Sequence, residues 1–359
     1  MIGRPPGRQS NVVGDVIMRC DGSPEIGTGH LIRCLALAHG LASVGYRVVF
    51  ATKPYDDRLV GKITREGYTV QSLPLKCEPE QDARLSIDLA AAALRRPIFV
   101  LDSYDLPATY HRAVMGAGLC LVLIDDLARR AVAADVLVNQ NISAGPELYA
   151  KQELGRVLLG PRYALLREEF RTLRRRVRPA LPEARRILIT LGGADPDGQT
   201  FKAVKAIGRL KEKEGIEAVV ILGHAHPDPA GLQTCIAETG RPIRLLAERD
   251  DIGQWMLDAD VAISGGGTTC LELACLGVPN LILILSEDQR GNAEGLDAAG
   301  ASINLGQVSA LTEAQIAEAL EALLVDPSRR GTMAQAGCAL VDGDGVPRVV
   351  SAIQETVGA

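Results

Sequence analysis

No apolar run in this 359-residue sequence approaches the ~20 residues that a membrane-spanning helix requires. Positive charge is not in surplus either: 39 Lys and Arg stand against 44 Asp and Glu, a formal net charge of −5. That balance gives no electrostatic case for nucleic acid. The eight cysteines are scattered, with no Cys-x-x-Cys and no metal-ligand spacing. They read as reduced, buried small residues of a cytoplasmic protein. Residues 1–12 are rich in Pro, Gly and Arg but lack the apolar stretch of a signal peptide, so they read as a flexible leader. His224-Ala-His226 has no third ligand in sight, and Asp125-Asp126 reads as loop-capping acids, so no metal is expected. No Gly-Lys-Ser/Thr follows any glycine loop, which excludes a Walker-type phosphate loop.

What the sequence has is strand–helix alternation. The stretch Arg19-Cys-Asp-Gly-Ser-Pro-Glu-Ile-Gly-Thr-Gly-His-Leu-Ile-Arg33 follows an apolar strand and precedes a helix whose apolar residues Leu31, Leu35, Ala38 and Leu41 recur at helical spacing. Gly27 and Gly29 let the backbone turn into that helix. A nicotinamide fingerprint is incomplete here. Ile32 stands where a third glycine is needed, and the acid expected about 20 residues on is missing. His30 opens the helix at the carboxyl end of a strand, where open α/β sheets bind ligands. An imidazole there can act as a general base, or merely cap or pack against the loop.

Strands are predicted at 16–18, 47–51, 69–73, 98–101, 119–124, 136–138 and 157–159, with helices at 30–43, 57–66, 81–94 and 108–117. Polar strand ends at Asp102-Ser103-Tyr104-Asp105, Asp125-Asp126 and Asn139-Gln140-Asn141 would line one crevice. After a helix near 163–170, the arginine-rich stretch 171–184 reads as a solvated linker. The pattern then repeats: strands at 187–191, 218–222, 243–247, 261–264, 281–285 and 302–305, and helices at 200–213, 230–238, 252–257, 268–276, 289–299 and 312–324. The fold class is therefore α/β, two doubly wound Rossmann-like domains facing across a cleft, at 13–170 and 185–345. A last helix in 346–359 would cross back onto the first domain.

In the second half, Ser264-Gly-Gly-Gly-Thr-Thr-Cys-Leu-Glu272 carries the sharpest signal. A strand ends, Gly265, Gly266 and Gly267 expose backbone N–H groups, and a helix starts at Thr268. Amides, hydroxyls and a helix N-terminus together make an anion site suited to a phosphate or pyrophosphate. Glu272, one turn on, can accept two neighbouring ribose hydroxyls. Gly192-Gly193 is a weaker amide nest. Asp288-Gln289, at a strand end, faces the same crevice, or Asp288 caps the next helix.

These motifs together resemble one family: the nucleotide-sugar hydrolases of pseudaminic acid biosynthesis, similar in fold to the GT-B glycosyltransferase that makes lipid II. The matching residues run from Arg19-x-Asp21, Gly27-x-Gly-His30 and Arg33 through Asp102-x-Tyr104, Ile124-Asp-Asp126 and Ala134-Asp-x-Leu-Val-Asn139. They continue with Gly160-x-x-Tyr-Ala-Leu-Leu-Arg167-Glu-Glu-Phe170, Gly192-Gly193-x-Asp195, the Gly265 loop with Glu272, and Asp288-Gln289. The resemblance implies cofactor-free, inverting hydrolysis of a UDP-linked 2,4-diacetamido-2,4,6-trideoxy sugar at its anomeric carbon, releasing UDP. His30 would be the general base and Tyr104 would sit beside the sugar. Asp21, Gly27, Gly29, Arg33, Arg167, Gly193, Gly265, Gly266, Gly267, Thr268, Glu272, Asp288 and Gln289 would contact substrate. The family pattern favours Asn where this chain has Asp288. A GT-B glycosyltransferase with a UDP-sugar donor, or a non-catalytic nucleotide-sugar binding protein, are the alternatives, and a monomer is expected.

Overall fold

The computed structural model describes residues 12–20, 29–54, 57–90, 97–177, 179, 181–193, 195, 197–211, 215–223, 226–247, 249 and 251–358. The first sheet contains β1 (Gly14–Cys20), β2 (Tyr46–Thr52), β3 (Thr69–Ser72), β4 (Ile98–Asp102), β5 (Cys120–Ile124), β6 (Ala133–Asn139) and β7 (Glu153–Leu159). All neighbours pair in parallel, in the order β3-β2-β1-β4-β5-β6-β7. The second contains β8 (Arg186–Thr190), β9 (Glu217–Ile221), β10 (Ile243–Leu246), β11 (Val261–Gly265), β12 (Asn280–Ile284) and β13 (Ile303–Gln307), also parallel, in the order β10-β9-β8-β11-β12-β13. Both are doubly wound α/β sheets. In each, the strand order reverses beside the first strand, between β1 and β4 and between β8 and β11. Those are the two points where such sheets open a crevice.

Central strands β4, β5, β11 and β12 are buried along their whole length, as runs such as Ile98-Phe-Val-Leu and Leu281-Ile-Leu-Ile require of parallel strands covered on both faces. The crossover helices of the first half are α1 (Gly29–Ser43), α2 (Asp57–Arg65), α3 (Pro79–Asp88) and α4 (Ala108–Gly116), and α5 (Glu168–Leu173) follows β7. The second half carries α6 (Thr200–Gly208), α7 (Pro229–Thr239), α8 (Ile252–Asp258), α9 (Thr268–Cys275), α10 (Arg290–Ala298), α11 (Glu313–Leu324), α12 (Pro327–Leu340) and α13 (Gly345–Gly358). Helix α13 packs into the core of the first sheet: Val346, Val349, Val350 and Ile353 share one buried cluster with Leu31, Leu35 and Leu41 of α1. The approach is close. A Cβ on Gly40 would lie 2.4 Å from Val346 Cγ1, so only glycine fits at the crossing.

Several local expectations change, among them the helix expected near 163–170, since α5 begins only at Glu168. Helix α6 ends at Gly208, not near residue 213; Leu210 turns into the core and a side chain at Gly208 would press on Thr239. Helix α12 is not anticipated above, although Asp326-Pro327 announces it: Asp326 accepts from the Arg329 N–H and Pro327 stands at the first helical position. The arginine run after α5 is not merely a solvated surface. Arg174 donates to the carbonyls of Cys275 and Cys338, and Arg171 pairs with Asp344, so the connection is fastened to the second half.

His111 on α4 lies fully buried. Burial, helped by Arg130 and Arg112, pushes its imidazole down to about 4. Its native state therefore resists protonation that the unfolded chain accepts near the ordinary 6.5, and stability is lost as pH falls through the window from 6.5 to 4. Urea midpoints measured across that window should fall less steeply for His111→Gln than for wild type. Parallel curves would contradict the assignment.

Candidate functional site

The two reversal points face one another across a cavity of about 230 Å³. On the first-sheet side, α1 places His30 and Arg33 on one face, three residues apart. Both reach Asp102, the last residue of β4. His30 Nδ1 lies 2.5 Å from Asp102 Oδ1, while Arg33 donates to the same carboxylate from Nε and Nη2 at 2.6 Å each. Arg33 also donates to Asp126, as does the hydroxyl of Tyr104 at 3.2 Å. The Tyr104 ring stands edge-on to the imidazole, centroids 4.5 Å apart.

Burial opposes the charge on Asp102, but Arg33 and His30 more than offset it and hold the carboxyl well below its usual range. An ionised Asp102 has no hydrogen to give, so the shared one sits on His30 Nδ1. The Nε2 lone pair is then left for the cavity. Tyr104 goes the other way: burial first, then Asp126, pushes its phenol up, and it keeps its proton.

On the facing side, β11 runs out through Gly265-Gly266-Gly267 into α9. The glycines are packed against Gln289: a Cβ on Gly266 would lie 2.7 Å from the Gln289 carbonyl. Gln289 Oε1 accepts from the Gly266 N–H at 2.9 Å and from Leu285 N at 3.2 Å. This corrects the expectation that all three glycine amides face a ligand. Gly266 N–H is taken, and Gln289 braces the loop. The first N–H groups of α9, Thr268 and Thr269 with Gly267 before them, have no acceptor within their own helix and open on the cavity. Glu272, one turn into α9, is buried and faces Arg167, Nη2 to Oε1 3.6 Å, while Arg167 Nη1 pairs with Glu169 at 2.9 Å. Burial outweighs Arg167 and pushes the Glu272 carboxyl up to about 7.

The same cavity is lined by Gly29, His30, Arg33, Tyr104, Arg167, Gly193, Gly265, Gly266, Gly267, Thr268, Glu272, Asp288 and Gln289. Asp21, Gly27 and His224 lie outside the described residues. His226 is turned away, buried against Phe201 and Asp195. Asp195 caps α6 by accepting from Gln199 N, Thr200 N and Thr200 Oγ1. Among the described residues, no three His, Cys, Asp or Glu gather as a metal site, and no helix is long and apolar enough to cross a membrane. Arg19 is not at the cavity; it forms a buried ion pair with Asp82 of α3.

Residue-by-residue reading missed Asp102 as the partner of His30, although its place at a strand end marked it. It also missed the amide bridge between the halves. Asn292 Nδ2 on α10 donates to Asn141 Oδ1 at 2.9 Å and to the Gly266 carbonyl at 3.3 Å, and Asn141 Nδ2 donates to the Asp126 carbonyl at 3.1 Å.

Residues 187–343 match the family described as the glycosyltransferase family 28 C-terminal domain. The chain is 23% identical over 337 residues to the spore coat polysaccharide biosynthesis protein SpsG of Bacillus subtilis, covering 93% of this chain and 96% of that one. It is 29% identical over 190 residues to the UDP-N-acetylglucosamine–N-acetylmuramyl-(pentapeptide) pyrophosphoryl-undecaprenol N-acetylglucosamine transferase of Acidiphilium cryptum, about half of each chain. Among solved structures, MurG of Acinetobacter baumannii superposes with a TM-score of 0.67 at 16% identity, covering 95% of this chain and 99% of that one.

The elevated Glu272 has a consequence for stability. Its native carboxyl holds a proton that the unfolded chain releases near 4.5, so native stability declines as pH rises from 4.5 through 7. Glu272→Gln should raise the unfolding free energy of the ligand-free protein by roughly 1–3 kcal/mol at about pH 8. The gain should vanish near pH 4.5. Equal stability of the two proteins at both pH values would contradict the burial of a strained carboxyl there. The two Rossmann-like sheets, the cleft between them and the family 28 match in the second half make this chain a protein of the GT-B fold.

Proposed function

We propose that the protein is an enzyme that displaces UDP from the anomeric carbon of a UDP-sugar. One observation carries this reading: the His30–Asp102 pair and the Gly265–Thr268 anion site face each other across a single cavity. In such a reaction, negative charge grows on the departing diphosphate. The α9 N-terminus and the Thr268 and Thr269 hydroxyls stabilise it, while Glu272 accepts the ribose hydroxyls. Opposite them, His30 Nε2 takes the proton from the attacking hydroxyl. Asp102 holds the ring in the tautomer that leaves Nε2 free and stabilises the imidazolium formed. Attack from one side and departure on the other make a single displacement, which inverts the anomeric centre.

The attacking hydroxyl separates two readings. The family 28 match and the transferase relative support a sugar acceptor, hence a glycosyltransferase of polysaccharide or cell-envelope synthesis. The motif set read from the sequence supports water, hence a hydrolase that releases UDP and the free sugar. Incubation with UDP-amino sugars, with and without a hydroxyl acceptor, distinguishes them. UDP formed only with acceptor supports transfer, and UDP formed without it supports hydrolysis. No UDP under either condition, with every sugar tried, contradicts both.

His30→Asn keeps a polar side chain at the cavity and removes the base. Turnover should fall by roughly 10²-fold or more, with UDP affinity by calorimetry and melting temperature nearly unchanged. Asp102→Asn should lower kcat to a similar degree with little effect on KM. A folded His30→Asn protein that turns over at the wild-type rate would remove His30 from the mechanism.

A further inference from the structure

The stretch Asn139-Gln140-Asn141 at the end of β6 carries amide side chains in a row, and the outer two are engaged inside the protein. Asn139 Nδ2 donates to the Tyr149 hydroxyl at 2.9 Å, and its Oδ1 accepts from Asn141 N at 3.1 Å. Asn141 commits its own amide to the Asp126 carbonyl and to Asn292. Gln140, between them, is different. Its Oε1 accepts from the Leu165 N–H at 2.9 Å, and among the described residues no hydrogen bond involves its Nε2. The residue is 2% exposed and lines the cavity. Its Nε2 is not one of the closed-off polar atoms, as Asp126 Oδ1 is.

That arrangement fixes what Gln140 can offer. The amide oxygen must be the end that faces the Leu165 N–H, because the other end carries only hydrogens. The group therefore cannot flip, and what it turns to the cavity is a neutral NH2 donor, held in place before a ligand arrives. Gln140 lies on the first-sheet wall with His30, Arg33 and Tyr104, across the cavity from the α9 N-terminus that would take the diphosphate. The part of a UDP-sugar that reaches this wall is the sugar. A nearly buried N–H left without an acceptor is costly, so the site gains when the ligand brings an oxygen to it. A ligand N–H or ammonium at the same point would set donor against donor.

Resting on the UDP-sugar reading above, we propose that Gln140 is a specificity-determining residue of this site, whose Nε2 donates to a neutral oxygen acceptor on the sugar, the carbonyl of an N-acyl group or a ring hydroxyl.

Two substitutions separate the donor from the rest of the side chain. Gln140→Glu keeps an acceptor for the Leu165 N–H and puts an oxygen where the NH2 group stands. Gln140→Met keeps the length and the neutrality and removes the donor. Calorimetry with the full-length protein, at about pH 8 so that an ordinary carboxyl is ionised, compares UDP with UDP-glucose, UDP-galactose and their N-acetylated 2-amino counterparts. For at least one of these sugars the affinity should fall roughly tenfold in Gln140→Glu and severalfold in Gln140→Met, the scale of one lost hydrogen bond. UDP itself should bind both variants nearly as it binds wild type, which also reports that they are folded. A loss confined to the N-acetylated sugars assigns the acyl carbonyl as the acceptor, and a loss shared by the glucose or galactose form assigns a hydroxyl. Sugar affinities unchanged in both variants, a loss confined to one variant, or a loss that UDP shares in full would overturn the inference and leave the UDP-sugar reading standing. Failure of the wild-type protein to bind UDP would overturn both.

Discussion

A buried carboxylate sets the terms of this cleft. Asp102 lies at the end of a fully buried strand, at the point where the first sheet reverses its order. An isolated charge there would be expelled or neutralised. It survives because α1 delivers His30 and Arg33 to it from a single helical face, and Arg33 goes on to Asp126. Removing Arg33, the cation that compensates this charge, would cost about 3–5 kcal/mol, so the cluster has little freedom to rearrange. The chemistry follows from that rigidity. With Asp102 charged and fixed, the imidazole has one orientation and one tautomer, and its remaining lone pair looks into the cavity.

The second constraint keeps the halves in register. Asn141 and Asn292 bridge the cleft floor, and the bridge touches the backbone of Asp126 on one side and of Gly266 on the other. Arg174 fastens the connecting segment, and α13 returns to pack on α1. His30 and the Gly265–Thr268 loop therefore keep a defined separation before any ligand arrives. Part of the cost of binding is removed in advance when a site is already assembled.

Much of this was legible in the sequence. Thirteen apolar strands interleaved with helical periodicities announced two parallel sheets, because strands covered on both faces must be apolar throughout. The strand–glycine–helix junctions at Gly29 and Gly265 located the cleft, since only such junctions aim a helix N-terminus at the carboxyl ends of strands. Pairings across long sequence separations were not legible. Nothing local to Asp102 says that His30, 72 residues earlier, will share its proton. Nothing in Gln289 says that its amide oxygen will take the Gly266 N–H. Side-chain accounting of that kind depends on which strand ends become neighbours, and that is decided by the sheet order.

The central claim is that the bond between the anomeric carbon and the diphosphate oxygen breaks, with no attack at phosphorus. A UDP-sugar carrying ¹⁸O in the bridging oxygen tests it whether the attacking group is water or a sugar hydroxyl. If His30 directs a nucleophile to the anomeric carbon, mass spectrometry should find all of the label in UDP and none in the sugar product. Label retained on the sugar, or UMP with a sugar phosphate as products, would contradict the account.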